Sequence, residues 1–157
     1  MYKRLLVPLD GSEFSECSLN HARAISTGCH VSELVLMQVV EPIPQVYELG
    51  EDWRRDAQAR TQASAKDYLS KVADDLKGDL TKEGVAVVTT IESGKAAEVI
   101  LDYVDKNRVD LIAMTTHGRS GVSRWVMGSV ADRIVHHSPV PVLLTSPPGC
   151  RSDATRG

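Results

Sequence analysis

Five short apolar runs, separated by segments of helical period, constrain this chain more than any other feature. Arg4 to Leu9, Glu33 to Val40, Val85 to Glu92, Asp110 to Thr115 and Val140 to Thr145 are each brief and rich in Val, Leu or Ile, the pattern of buried strands. Between them apolar residues recur at helical spacing. Leu19, Ala22 and Ile25 mark the first helix, and Ala65, Tyr68, Leu69, Val72, Leu76 and Leu80 the second. Ala97, Ile100, Leu101 and Val104 mark the third, and Ser129 to His137 makes a short fourth. Strict strand–helix alternation predicts an α/β, doubly wound, Rossmann-like chain: parallel strands, right-handed crossovers and helices on both faces. In such sheets ligands bind beyond the carboxyl ends of the strands, where connections diverge.

The chain has 157 residues, 42% hydrophobic and 25% charged, enough for one independently stable core. Its formal charge of -3 and scattered Lys and Arg give no basic field for nucleic acid. The apolar run after Lys3 and Arg4 is broken at Asp10, too short for a signal segment or a membrane span, so the expectation is a cytoplasmic protein with no membrane association. Cys17, Cys29 and Cys150 are odd in number and lack C-x-x-C spacing, which argues for reduced thiols rather than disulfides or zinc.

Thr115 to Ser129, TTHGRSGVSRWVMGS, is the candidate anion site. Gly118, Gly121 and Gly128 permit close backbone approach, and the Gly128-Ser129 pair at a helix start directs unpaired N–H groups and the positive end of the dipole outward. A tight turn alone would also use these glycines. No Walker lysine follows, so a P-loop NTPase is excluded. Arg119 and Arg124 lie in the span and can add charge-assisted bonds to phosphate, or remain solvated. Trp125 reads as a packing or subunit-contact residue. A second strand-to-helix turn, Pro8-Leu9-Asp10-Gly11-Ser12, carries a carboxylate and a hydroxyl that could face the same crevice or simply cap the helix.

Elsewhere the chemistry is sparse. His117 near Ser120, and His136 and His137 beside Ser138, make no argued catalytic arrangement, and His136 and His137 suit a helix C-terminus. Asp74 and Asp75 read as solvated helix surface, Glu51 and Asp52 as a helix start. Neither pair suggests acid/base work, and no catalytic residue or dedicated metal site is assigned. Glu41 to about Asp52 is a long connection, either a flap or plain loop. Residues 147–157 are polar and rich in Pro and Gly, so a disordered tail is expected after a domain spanning 1–146.

Over Met1 to Ser146 the chain resembles the universal stress protein family. The resemblance rests on VPLDGS at the end of the first strand, on Gly118 followed after nine residues by Gly128-Ser129, and on the closing SPVPVLLTS. It implies an open five-stranded parallel sheet of order 3-2-1-4-5, with the switch point between strands one and four. ATP-binding members carry Gly, two residues, Gly, nine residues, then Gly-Ser or Gly-Thr; here Thr115 replaces the first glycine. By the same resemblance Gly118, Gly128 and Ser129 lie along the phosphates, Pro8, Asp10 and Val39 at the adenine and ribose end, and Met114 near the base; Arg119 and Val130 are expected beside them among the nucleotide-binding residues. Val39 and Met114 suit strand core equally.

The resemblance implies a stress-response module holding ATP, ADP or AMP, with Mg2+ arriving through the nucleotide phosphates. No general base is aimed at water, so any ATPase activity would be slow. A dimeric interaction module without nucleotide is the alternative, supported by Thr115. A nucleotidyl transferase would share only the fold. The last strand, at the sheet edge in this order, is the expected homodimer contact.

Overall fold

The alternation is realised as β1 (Arg4–Leu9), α1 (Glu13–Gly28), β2 (Glu33–Val40), α2 (Gly50–Leu80), β3 (Ala86–Ser93), α3 (Ala96–Asn107), β4 (Leu111–Thr115), α4 (Ser129–His137) and β5 (Val142–Thr145). The computed structural model describes residues 2–44, 50–116 and 127–146. Its five strands form one parallel sheet of order β3-β2-β1-β4-β5. The expected order and helix layers are therefore those observed.

Period-two alternation explains why both faces need covering. Leu5, Val7 and Leu9 of β1 enter one core with Leu34, Leu36, Leu111 and Ala113, beneath α1 and α2. Leu6, Val35, Met37, Ile112 and Met114 point the other way, beneath α3 and α4. Leu5, Leu6, Leu34, Val35, Leu36, Met37 and Ile112 have no exposed surface. Each contributes roughly 1.5–3 kcal/mol of burial, and truncating Leu34 to Ala would cost about 2–5 kcal/mol.

α1 begins where Ser12 caps it, the side chain accepting the Ser15 N–H, with Glu13 and Glu16 complementing the dipole. α2 buries Leu69, Val72, Ala73, Leu76 and Leu80 as one stripe, and none of its residues before Ala65 is buried. The 16 residues from Ala65 to Leu80 span about 24 Å, close to the roughly 26 Å of an eight-residue strand. The preceding turns thus extend past the carboxyl edge of the sheet as an exposed polar arm. Glu51 and Asp52 lie in its first turn, as expected, so the β2–α2 connection is shorter than the loop read from sequence. Beside the arm, Ile43 donates its N–H to Gln58 Oε1 at 3.1 Å. Residues 45–49, the middle of the candidate flap, and the tail 147–157 lie outside the described residues.

β5 is two residues shorter than its apolar run because Pro139 and Pro141 cannot continue a ladder. At the end of α4, His136 and His137 donate from Nδ1 to the carbonyls of Asp132 and Arg133 at 2.8 and 2.9 Å, four residues back, which ties both rings to the helix. Cys17 and Cys29 are free thiols. No described helix is long and apolar enough to cross a membrane.

Candidate functional site

β1 stays paired with β2 as far as Leu9 opposite Gln38, yet it meets β4 only at Leu5–Leu111 and Leu6–Ile112. Beyond Leu6 the two central strands part, since α1 leaves toward one face and α4 lies on the other. A crevice of about 290 Å3 opens there, at the switch point of the sheet. Pro8 sits in this unpaired stretch, where a missing N–H has no β4 acceptor to disappoint.

The crevice is lined by Pro8, Leu9, Asp10 and Ser15 from the β1–α1 side and by Val39 from β2. Ala96 and Ile100 contribute from α3, Met114, Thr115 and Thr116 from the end of β4, and Gly128, Ser129, Val130 and Ala131 from the start of α4. Most of this wall is apolar. Its polar groups lie at two ends of the chain path.

At the first end, Asp10 Oδ1 accepts from the Ser12 N–H at 2.9 Å and from the Ser12 hydroxyl at 2.6 Å. The Asp10 N–H points to Ser15 Oγ at 3.4 Å, and that hydroxyl donates to the Ser12 carbonyl at 2.8 Å. Gly11 makes the turn possible with φ of 82°, a left-handed conformation that a Cβ would strain. Asp10 thus has the turn-holding role read from its neighbours while also lining the crevice.

At the second end, Thr116 donates its N–H to the Thr145 carbonyl at 3.0 Å and accepts the Gly128 N–H at 2.8 Å. Those two bonds fix the start of α4 against the carboxyl end of β4. Gly128 is the N-cap and no side chain caps the helix. The Ser129 and Val130 N–H groups have no intrahelical acceptor, and both residues face the crevice. With the positive end of the helix dipole, this is a place for an anion.

Of the residues singled out from sequence, Pro8, Asp10, Val39, Met114, Thr115, Gly128, Ser129 and Val130 come together around one space. Met114 and Thr115 are also buried, at 6% exposure each, so core and crevice are the same place there. Gly118 and Arg119, like His117, Ser120, Gly121, Arg124 and Trp125, lie outside the described residues. Leu9 and Thr116 fall in the two turns singled out from sequence, whereas sequence reasoning missed Ser15, Ala96, Ile100 and Ala131. Ser15 stands three residues after the Ser12 cap, a spacing that signals a bonded pair; Ala96 and Ile100 give only a helical i, i+4 pair. Among the described residues no three His, Cys, Asp or Glu side chains converge as a metal site.

An open parallel α/β sheet with an apolar crevice at its switch point, an acid at one side and a helix N-terminus at the other, places this chain among the doubly wound folds. The chain belongs to the Universal stress protein family, whose profile it matches over residues 1–146. A universal stress protein of Methanocaldococcus jannaschii is 30% identical over 148 residues, covering 94% of this chain and 84% of the relative. The structure of UspA from Lactobacillus plantarum superposes with a TM-score of 0.79 at 23% identity, covering 91% of this chain and 97% of that one. Two further family structures share the fold at 17% identity. One was solved in complex with cAMP, with TM-score 0.63 and coverage of 93% and 98%; the other, from Arabidopsis thaliana, has AMP bound, with TM-score 0.60 and coverage of 99% and 96%.

Proposed function

We propose that this universal stress protein binds an adenine nucleotide, AMP or ATP, in the β1–β4 crevice and serves as a stress-response regulatory module in the cytoplasm. The observation that carries this reading is the pairing of apolar walls from Val39, Met114 and Ile100 with the open N–H groups at Ser129 and Val130. A flat heterocycle suits the first and a phosphate the second. That relatives of the same fold were solved with AMP and with cAMP supports the choice of ligand class.

Asp10, held by Ser12, is oriented to accept from a ribose hydroxyl. Mg2+, if it accompanies ATP, would be held chiefly by phosphate oxygens and water, with Ser129 as the nearest hydroxyl of the helix start. Among the described crevice residues no side chain is placed as a general base toward a phosphate. Such a cradle binds ground state and transition state alike, so hydrolysis would be slow at most.

Calorimetric titration with AMP, ADP, ATP and cAMP tests the proposal. Saturable binding of one adenine nucleotide per chain is the expected result, and absence of heat with all four at millimolar ligand would overturn it. A dimeric interaction module without nucleotide is the second reading, favoured by the exposed edge position of β5 and by Thr115 in place of a glycine.

A further inference from the structure

The polar tie between α1 and α2 nearest the crevice runs through a residue that none of the site chemistry has used. Tyr68, in the packed part of α2, donates its phenolic hydroxyl to Glu16 Oε1 at 3.0 Å. Glu16 follows Ser15 in the first turn of α1. Ser15 is only 4% exposed, lines the crevice, and receives the Asp10 N–H. At the far end of the same helix pair the partly buried Arg23 pairs with the exposed Asp79, at a distance from the site along both helices.

We propose that Tyr68 is a positioning residue for the nucleotide crevice: by bonding Glu16 it fixes the first turn of α1, where Ser15 receives the Asp10 N–H, and through that turn the orientation of Asp10. The proposal rests on the nucleotide-binding reading for its ligand, but its structural half does not. The Ser15 hydroxyl gives its one hydrogen to the Ser12 carbonyl, which leaves its lone pairs for the Asp10 N–H. Removing the phenolic oxygen leaves Glu16 to solvent and releases the constraint on that turn.

The electrostatics keep the tie intact across the working pH range. Burial first, then the hydrogen bond to Glu16 and the negative charges of Glu16 and Asp10, hold the Tyr68 phenol well above its ordinary pKa, so it stays protonated and remains a donor. Immediately before Ala65 and Tyr68 the helix leaves the body of the protein as the exposed arm. Tyr68 therefore sits where the start of α1 and the arm meet.

Tyr68→Phe removes one oxygen and keeps the ring. Two readouts are needed: AMP affinity, and amide hydrogen exchange at residues 12–16 in the protein without ligand. The expected result is an AMP Kd raised roughly fivefold, the equivalent of one hydrogen bond, together with faster exchange confined to residues 12–16. Glu16→Gln, which keeps an acceptor oxygen for the phenol, should stay within about twofold of wild type, whereas Glu16→Ala should match Tyr68→Phe. Wild-type affinity with unchanged exchange at residues 12–16 in Tyr68→Phe would overturn the proposal, as would faster exchange spread evenly over the whole sheet, which marks a purely structural role. If wild type takes up no AMP, the nucleotide reading fails, and local exchange alone decides the positioning role.

Discussion

Ser12 grips the Asp10 carboxylate twice, its amide at 2.9 Å and its hydroxyl at 2.6 Å both reaching Oδ1. The same Ser12 hydroxyl oxygen accepts the Ser15 N–H at 3.2 Å, so the cap of α1 and the orientation of Asp10 belong to one network. A carboxylate fixed in this way loses little freedom on meeting a ligand, and the preorganisation favours binding. On this account a helix cap and a binding residue need not be alternatives for Asp10.

At Gly128 the backbone has φ of -58° and ψ of 147°, a conformation any residue adopts. A side chain there carries no backbone strain, so its effect falls on what approaches the helix start. Gly128→Val is expected to remain folded by circular dichroism and to lose AMP binding in calorimetry. Ser129→Ala should weaken binding by about 1 kcal/mol if the hydroxyl adds one bond to the phosphate. Undiminished affinity in a folded Gly128→Val protein would remove the phosphate from this helix start.

Thr115 ends β4 opposite Thr145 and lines the crevice while 6% exposed. Replacing it with glycine would supply the first glycine of the motif that the family resemblance implies and remove bulk beside the proposed ribose path. Thr115→Gly should therefore raise nucleotide affinity while lowering stability by about 1 kcal/mol, the cost of glycine in a strand. Thermal denaturation and titration of the same preparation separate the two effects. Equal or weaker binding would show that the Thr115 side chain helps hold the ligand.

Parallel strands covered on both faces and most of the crevice were legible in the residues themselves, whereas the strand order came only through the family resemblance. Runs such as ELVLMQVV are apolar on both faces, which only a strand covered twice can satisfy. Gly128-Ser129 at a helix start and Asp10 before a Ser cap are local signals, readable without tertiary contacts. Ile100 was legible only as helix core, because nothing in its neighbourhood says which end of α3 overlooks the gap between β1 and β4. Tyr68 was read as one more apolar-stripe residue; its bond to Glu16 joins positions 52 residues apart, a separation no local pattern reports. The arm of α2 was half legible, since Glu51 and Asp52 mark a helix start but the polar turns after them lack an apolar stripe.

Acid should loosen the amino-terminal edge first. Asp110 accepts the N–H groups of Lys3 at 2.7 Å and Arg4 at 2.9 Å, and the Arg4 bond above all holds its carboxyl below the ordinary range. A carboxyl depressed in the folded state stabilises the fold above its unfolded pKa, near 4, and that contribution is lost as pH falls through the folded value. Because Asp110 is only partly buried, solvent screening limits the electrostatic share to at most about 1 kcal/mol. Asp110→Asn should be less stable than wild type at pH 7, with the gap closing below pH 4 in urea titrations. A gap independent of pH would assign the loss to packing.

β5 is an edge strand, with Leu143 opposite Ala113 on its inner side. Antiparallel pairing of two such edges about a two-fold axis would cover both, and the prolines at its start leave Leu143 to Thr145 best able to pair. Light scattering should give a dimer mass at micromolar concentration, and a monomeric wild type would count against this contact. Leu143→Pro should shift the mass toward monomer, but it also removes a donor from the strand, so the wild-type mass is the decisive value.

The central claim is that one adenine nucleotide sits between β1 and β4 with its phosphate at the α4 N-terminus. Backbone amide chemical shifts followed through an AMP titration test it residue by residue. The account predicts the largest changes at Asp10, Val39, Thr115, Ser129 and Val130, with the Ser129 and Val130 amides moving as they take up phosphate. Changes concentrated on the exposed arm of α2 or along β5, with these five amides unmoved, would contradict it.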